Sequence, residues 1–220
     1  MKKLLLIASL SLVGVGLKAQ ETTFGVKAGY SLSTMKISED VDDLGERTMD
    51  PVHTMYIGGI VEHKFSDTFG IQGELLYSPL GAKESFKGTN DDITFFNIKN
   101  KITLGTLLVP ISAKYFIGEK FSISAGASFG VILTAKQKSV IDAGFSIPGF
   151  ELEGNDESDI KDDLKTLNIA PFLGVEYMLE NGLFFDARYN LGVSNLVKEG
   201  AGTAKNSFAQ IGVGFKFGKN

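Results

Sequence analysis

The sequence predicts an all-β fold, an eight-stranded antiparallel up-and-down transmembrane β-barrel, on three observations. Eight segments alternate residue by residue, and the apolar set in each carries no Asp, Glu, Lys or Arg while the other set is polar, glycine-rich and charged. An aromatic residue sits on the apolar set at the same end of all eight, and the connections between them run alternately long and short. Apolar outside and charged inside is what lipid demands, because only a closed sheet satisfies its backbone hydrogen bonds there. A soluble ligand-binding barrel has the reverse polarity.

The first strand is expected from Thr23 to Ser33, with Phe24, Val26, Ala28, Tyr30 and Leu32 outward and Lys27, Gly29 and Ser31 inward, a period of two. The second, from Thr54 to Phe65, puts Met55, Ile57, Gly59, Val61 and Phe65 outward against Tyr56, Gly58, Ile60, Glu62 and Lys64, and His63 is the only titratable residue on its apolar set. Ser66, Asp67 and Thr68 form a hairpin turn to the third, Phe69 to Ser78, where Phe69, Ile71, Gly73, Leu75 and Tyr77 oppose Gly70, Gln72, Glu74 and Ser78.

The fourth strand, Thr103 to Tyr115, is apolar on both faces in its first half and then sets Val109, Ile111, Ala113 and Tyr115 against Pro110, Ser112 and Lys114. The fifth, Phe121 to Ala135, alternates most cleanly, from Phe121 and Ile123 through Leu133 against serines and glycines. The sixth, Asn168 to Met178, opposes Leu173, Val175 and Tyr177 to Gly174 and Glu176, and Glu180, Asn181 and Gly182 supply the turn to the seventh. The seventh opposes Leu183, Phe185, Ala187, Tyr189 and Leu191 to Asp186, Arg188 and Asn190, and the eighth, Ser207 to Phe217, puts Ala209, Ile211, Val213, Phe215 and Phe217 against Gln210, Gly212, Gly214 and Lys216. Pro110 and Pro171 fall inside strands, so a bulge, a strand end or a shifted boundary is expected at each.

Long connections at 34–53, 79–102, 136–167 and 192–206 alternate with short ones at 66–68, 116–120 and 179–182. Short turns in the periplasm and long loops outside are the outer-membrane pattern, and an even strand count leaves both termini in the periplasm. Strands of about 11 residues, rising about 3.4 Å each and tilted about 40°, span roughly 28 Å, which matches an apolar band about 25 Å tall. At the periplasmic rim Phe24, Phe65, Phe69, Tyr115, Phe121, Tyr177, Phe185 and Phe217 form an aromatic girdle, one per strand.

An eight-stranded barrel is just wide enough inside for its own side chains. The inward set holds Lys27, Lys64, Lys114, Arg188 and Lys216 against Glu62, Glu74, Glu176 and Asp186, a near balance that predicts a paired charge network closing the lumen. Counting from the girdle places Lys27, Glu62 and Arg188 at one depth and Lys114, Glu176, Asp186 and Lys216 at another.

The N-terminus reads as a secretory leader: Lys2 and Lys3, an apolar run from Leu4 to Leu17, and cleavage expected after Ala19, so that residues 1–19 are removed and 20–220 form the barrel domain. The run is shorter than the roughly 20 residues a membrane helix needs. Losing Lys2, Lys3 and Lys18 leaves 19 basic residues against 26 acidic and moves the formal charge from −4 to −7, which argues against nucleic acid as a partner. The absence of cysteine excludes a lipobox, disulfides and thiolate metal sites, and the 26 glycines and 17 phenylalanines suit strands and tight turns.

Stretches from Phe24 to Thr34, Val109 to Lys136, Leu173 to Leu196 and Gly212 to Phe217 resemble the short PorT-like β-barrel proteins of Bacteroidetes outer membranes, similar in architecture to OmpX and the OmpA barrel. The resemblance covers essentially the whole mature chain and implies fold and outer-membrane location. It carries no active-site motif.

No cofactor and no metal site is expected. The acidic loops, with Glu39, Asp40, Asp42, Asp43, Glu46 and Asp50 in the first and Asp142, Glu151, Glu153, Asp156, Glu157, Asp159, Asp162 and Asp163 in the third, lack the glycine spacing of an EF-hand and read as solvated surfaces facing lipopolysaccharide. His53 at the outer rim could pair with Asp50 or a loop serine as base and orienter, but His63 lies at the other rim, so the two share no site. The leading reading is a non-enzymatic, monomeric outer-membrane protein with a closed lumen, whose loops serve envelope integrity, adhesion or partner docking among lipids and lipopolysaccharide. The alternatives are an accessory component of a type IX-like secretion machine, which the resemblance allows, and a rim enzyme built on His53.

Overall fold

A computed structural model describes residues 22–38, 46–90, 93–143, 154–198 and 202–217. The leader expected at 1–19, and Glu39, Asp40, Asp42, Asp43, Glu151 and Glu153 of the acidic loops, lie outside the described residues. The strands are β1 (Thr22–Ser38), β2 (Glu46–Lys64), β3 (Phe69–Asn90), β4 (Ile93–Ile117), β5 (Phe121–Ala143), β6 (Gly154–Asp159), β7 (Leu167–Met178), β8 (Leu183–Asn190) and β9 (Thr203–Phe217). Every pairing is antiparallel between sequence neighbours, except that β5 skips β6 to pair with β7 and β9 closes onto β1, so eight strands form a ring. The short β6 lies outside it, along the far end of β5, where Lys136 to Ile141 face Asp159 to Gly154.

The short turns build as their residues dictate. Ser66 Oγ accepts from the backbone N–H groups of Thr68 and Phe69, at 3.3 and 3.1 Å. Gly182, at φ 89°, turns β7 into β8 while Asn181 Oδ1 accepts from the N–H of Leu183 at 3.1 Å.

The long connections differ from expectation. Residues 79–102 were expected as a loop, but β3 and β4 continue as a hairpin and leave only 91–92 between them; β1 and β5 likewise run past Ser33 and Ala135, to Ser38 and Ala143. The cause is a change of facing. The β2–β3 register slips between Pro51 and Ile57, and the β4–β5 register slips between Gly105 and Thr106, where Thr106 faces Ile132 but Gly105 faces Thr134. One extra residue in a strand turns every later side chain to the other face. Past Leu133 it is Lys136 and Lys138 that are exposed, while Ala135 is buried.

Pro110 causes no slip. The β3–β4 ladder is interrupted where Glu74 and Leu75 lie beside Val109 and Pro110, and it resumes in the same register at Leu76 and Leu108. Pro171 pairs with Ala127 of β5 and lies just beyond the last β7–β8 pair, Phe172 with Asn190, where its carbonyl accepts from Leu191 N–H at 2.8 Å.

The interior is filled. Ile60, Met178 and Phe184 pack near the short-turn rim, Tyr56, Leu76, Leu80, Leu108, Ala170 and Phe208 pack in the middle, and Met35, Ala82, Leu104, Ile132, Ala135 and Leu196 fill the far end. Two chain segments enter that far mouth. Leu164 bridges Val197, Lys165 N–H donates to Leu196 O at 2.7 Å and Ile160 N–H to Ala135 O at 3.0 Å, which carries Ile160, Leu164 and the fully buried Leu196 onto the apolar cluster.

Candidate functional site: the charged lumen

The inward side chains of seven strands converge on two quartets. In one, Lys114 of β4 and Lys216 of β9 face Glu62 of β2 and Glu176 of β7: Lys114 lies 2.5 Å from Glu62 and 2.9 Å from Glu176, and Lys216 lies 2.7 and 2.6 Å from the same two carboxylates. In the other, Lys27 of β1 lies 3.2 Å from Glu74 of β3 and 2.8 Å from Asp186 of β8, and the Arg188 guanidinium grips both oxygens of Glu74 at 3.0 and 3.1 Å. Each quartet contains two cations and two anions and is neutral. That is the condition for keeping charge inside a low-dielectric wall, where an unpaired ion carries a heavy desolvation penalty. A bidentate fork such as Arg188 on Glu74 adds a fixed orientation to the attraction.

These groupings correct the depths counted from the girdle. Glu62 belongs with Lys114, Lys216 and Glu176, and Asp186 belongs with Lys27, Arg188 and Glu74. Strands in a barrel are tilted and staggered, so equal counts from a rim are not equal heights. Lys64 joins neither quartet. Half-buried at the end of β2, its ammonium stands 4.0 Å from the centroid of Phe116.

Several residues complete the network without having been singled out in the sequence. Gln72 accepts from Lys114 at 3.0 Å and donates to Glu74 at 2.8 Å, joining the quartets, and Gln210 accepts from Arg188 Nε at 2.8 Å. Each quartet cation also faces an inward aromatic ring: Lys27 and Tyr56 at 5.6 Å, Lys114 and Phe116 at 5.4 Å, Arg188 and Phe172 at 5.2 Å, and Lys216 and Phe184 at 5.1 Å. At these distances the ring quadrupole attracts the cation. An aromatic two residues from a charge on an inward-facing set, as Phe116 is from Lys114, was the available signal. Tyr56 fits because it lies along the wall over Gly29 and Gly212, where a Cβ on Gly212 would come within 2.2 Å of the tyrosine oxygen.

The eight girdle aromatics expected from the sequence all lie exposed on the outer wall. Phe24 is paired with Phe217, Phe69 with Tyr115, and Phe121 with Tyr177, which is in turn paired with Phe185; Phe65 lies just past β2, in the turn. Above them the wall is apolar, with Leu173 72 % and Met55 74 % exposed.

His53 points outward and its Nδ1 is hydrogen-bonded to the Tyr30 hydroxyl rather than to Asp50 or a loop serine. His63 is buried beside Phe65, and its Nδ1 lies 2.9 Å from Thr22 Oγ1. Among the described residues no group of three or more His, Cys, Asp or Glu is placed to hold a metal ion. Of the acidic third loop, Asp156, Glu157 and Asp159 lie in β6, and Glu157 pairs with Lys136 at 2.7 Å.

A family model described as outer membrane protein beta-barrel domain matches residues 18–198. No curated protein matches the chain. Among solved structures, Ail, the attachment invasion locus protein of Yersinia pestis, in complex with the heparin analogue sucrose octasulfate, is 15% identical, with a TM-score of 0.46 over 90% of this chain and 99% of that one. The outer membrane protein OprG from Pseudomonas aeruginosa is 14% identical over 90% and 97%, with a TM-score of 0.42. The E. coli outer membrane protein W is 18% identical over 91% and 100%, with a TM-score of 0.37.

Proposed function

This chain belongs to the family of outer membrane protein β-barrel domains, and from that premise we propose that it is a closed barrel whose work is done by the strands and loops it raises above the bacterial outer membrane. The observation that carries the reading is the lumen. Two neutral charge quartets in the lower half and the apolar cluster sealed by Leu196 in the upper half leave the interior occupied by the protein's own side chains. A barrel so filled offers a solute no route, so its function lies in what it displays.

In this reading residues 1–19 are a cleaved leader, the eight rim aromatics from Phe24 to Phe217 sit at the periplasmic interface, both termini are periplasmic, and the long connections face the outside. The displayed part serves envelope integrity, adhesion or docking of a partner, within a lineage resembling the PorT-like barrels of Bacteroidetes. No catalytic role is assigned, since His53 is bound to a tyrosine and not to a carboxylate orienter.

The test has two parts. Planar-bilayer recording of the purified, heat-modifiable protein should show no stable conductance, and a regular open pore would sink the closed-lumen reading. Shortening the outer ends at 84–99 and 142–153 should leave heat modifiability intact while abolishing surface adhesion or envelope protection in cells. Unchanged cells would refute display as the function.

A further inference from the structure

We propose that the outer wall carries a binding site for the phosphate groups of outer-leaflet lipids, formed by Lys83, Lys101 and Lys138. These residues face each other directly across three adjacent strands: Lys83 of β3 is paired with Lys101 of β4, which is paired with Lys138 of β5. All three are exposed, and no ion pair joins any of them to an acid among the described residues. The row ends in Asp50 beside Lys83 on β2 and in Glu157 beside Lys138 on β6, but Glu157 is already committed to Lys136.

Like charges directly opposite each other in a sheet repel. Three in succession are a cost that a bound anion removes. The bulge at Leu133 is what brings Lys138 to the outer face, so the row depends on a backbone irregularity and not on continued alternation.

Position selects a lipid as the source of the anion. Lys83 stands 14 residues beyond Phe69, and Lys101 is 14 residues from Tyr115. At about 3.4 Å per residue and about 40° of tilt this is roughly 36 Å above the girdle, about 10 Å past an apolar band about 25 Å tall, at the level of head groups. On the same strands, Tyr77, Val131 and Leu133 lie exposed below the lysines. A molecule with phosphate above and acyl chains below would touch both rows at once, and a soluble phosphate would touch only one.

The inference rests on the orientation proposed above, with the long connections outside. Lipid binding in detergent does not depend on that orientation, so protease accessibility in cells and lipid retention fail separately. The experiment measures lipid A retained by the immobilised, folded protein after detergent washing. The probes are phosphorylated lipid A, its dephosphorylated form, and inorganic phosphate as competitor. Retention should need the phosphates, and it should fall on the order of tenfold or more in K83Q/K101Q/K138Q, given the attraction of each lysine to an anionic surface. It should recover in K83R/K101R/K138R and stay unchanged in K36Q/K205Q, which removes the other cross-strand lysine pair at this level. Heat modifiability verifies that each variant is folded. Equal retention of dephosphorylated lipid, an unaffected triple glutamine variant, or an equal loss in K36Q/K205Q would overturn the site. Release of lipid A by inorganic phosphate at matched concentration would overturn the assignment to a lipid.

Discussion

Toward the short turns the barrel is apolar outside and charged within; toward the long connections it is charged outside and apolar within. Lys27, Glu62 and Arg188 are buried in the first region, where Phe24, Ile57 and Leu173 face outward. In the second, Met35, Leu104 and Ile132 are buried, and Lys36, Lys101 and Lys138 are exposed. The same hydrogen-bonded strands run through both regions, so backbone geometry does not set the polarity. The surroundings do. A wall in lipid must be apolar and can hold charge only inside, whereas a wall in water gains by burying its apolar residues. Two bulges, near Pro51 and at Leu133, change the facing where the surroundings change.

Removing one charge from a quartet strikes this contrast hardest. Glu62→Ala leaves Lys114 and Lys216 sharing Glu176 alone and should cost about 3–5 kcal/mol, read by urea titration of the unboiled gel band. A smaller cost would mean that water reaches the lower lumen. Leu104→Ala in the upper cluster should cost roughly 2–5 kcal/mol through the cavity it leaves, as in any soluble core. Proteolysis should report it as opening of the outer end before the ring unfolds.

Arginine scanning of the outer wall sharpens the boundary between the regions. Leu173→Arg should cost about 2–4 kcal/mol in bilayers, while Thr103→Arg, on the outward set beyond the band, should cost about 0–1 kcal/mol. Equal costs would remove the distinction between a lipid-facing and a water-facing wall. The smallest effect belongs to pH. The hydrogen bond from Lys136, and its charge, hold the Glu157 carboxyl below its ordinary range, with Lys138 contributing. A lowered carboxylate pKa supports the folded form fully above the ordinary value and is lost as pH falls through the lowered one. Hydrogen exchange across Gly154–Asp159 should therefore differ between the native protein and Glu157→Gln at neutral pH and converge in acid.

The lower half was legible from the sequence because each requirement there has period two. Phe121 to Leu133 could be read as lipid-facing from alternation alone, and the nine charged inward residues were named because charge on a lipid-spanning segment can only face in. Their partners were not legible. Glu62 and Asp186 changed places because stagger separates height from count, and Gln72, Gln210 and Phe116 are ordinary inward residues until the ring closes. The upper half resisted for another reason. The apolar stretch from Leu104 to Leu108 reads as weakly patterned because it lies where polarity inverts, and the bulge after Ile132 reverses the facing on which any alternation argument depends. The lysine row is spread over three strands and exists only in register.

The quartets also bear on the order in which this sheet assembles. Lys216 reaches Glu62 across 154 positions of sequence, and Lys27 reaches Asp186 across 159. Neither contact exists in a growing sheet whose last strand has not met its first. Until then pairs such as Lys27 with Glu74 and Lys114 with Glu62 can form, but each quartet lacks one of its contacts and its charge is only partly neutralised against hydrocarbon. Joining β9 to β1 completes both quartets together, which makes the final seam the committing step of insertion.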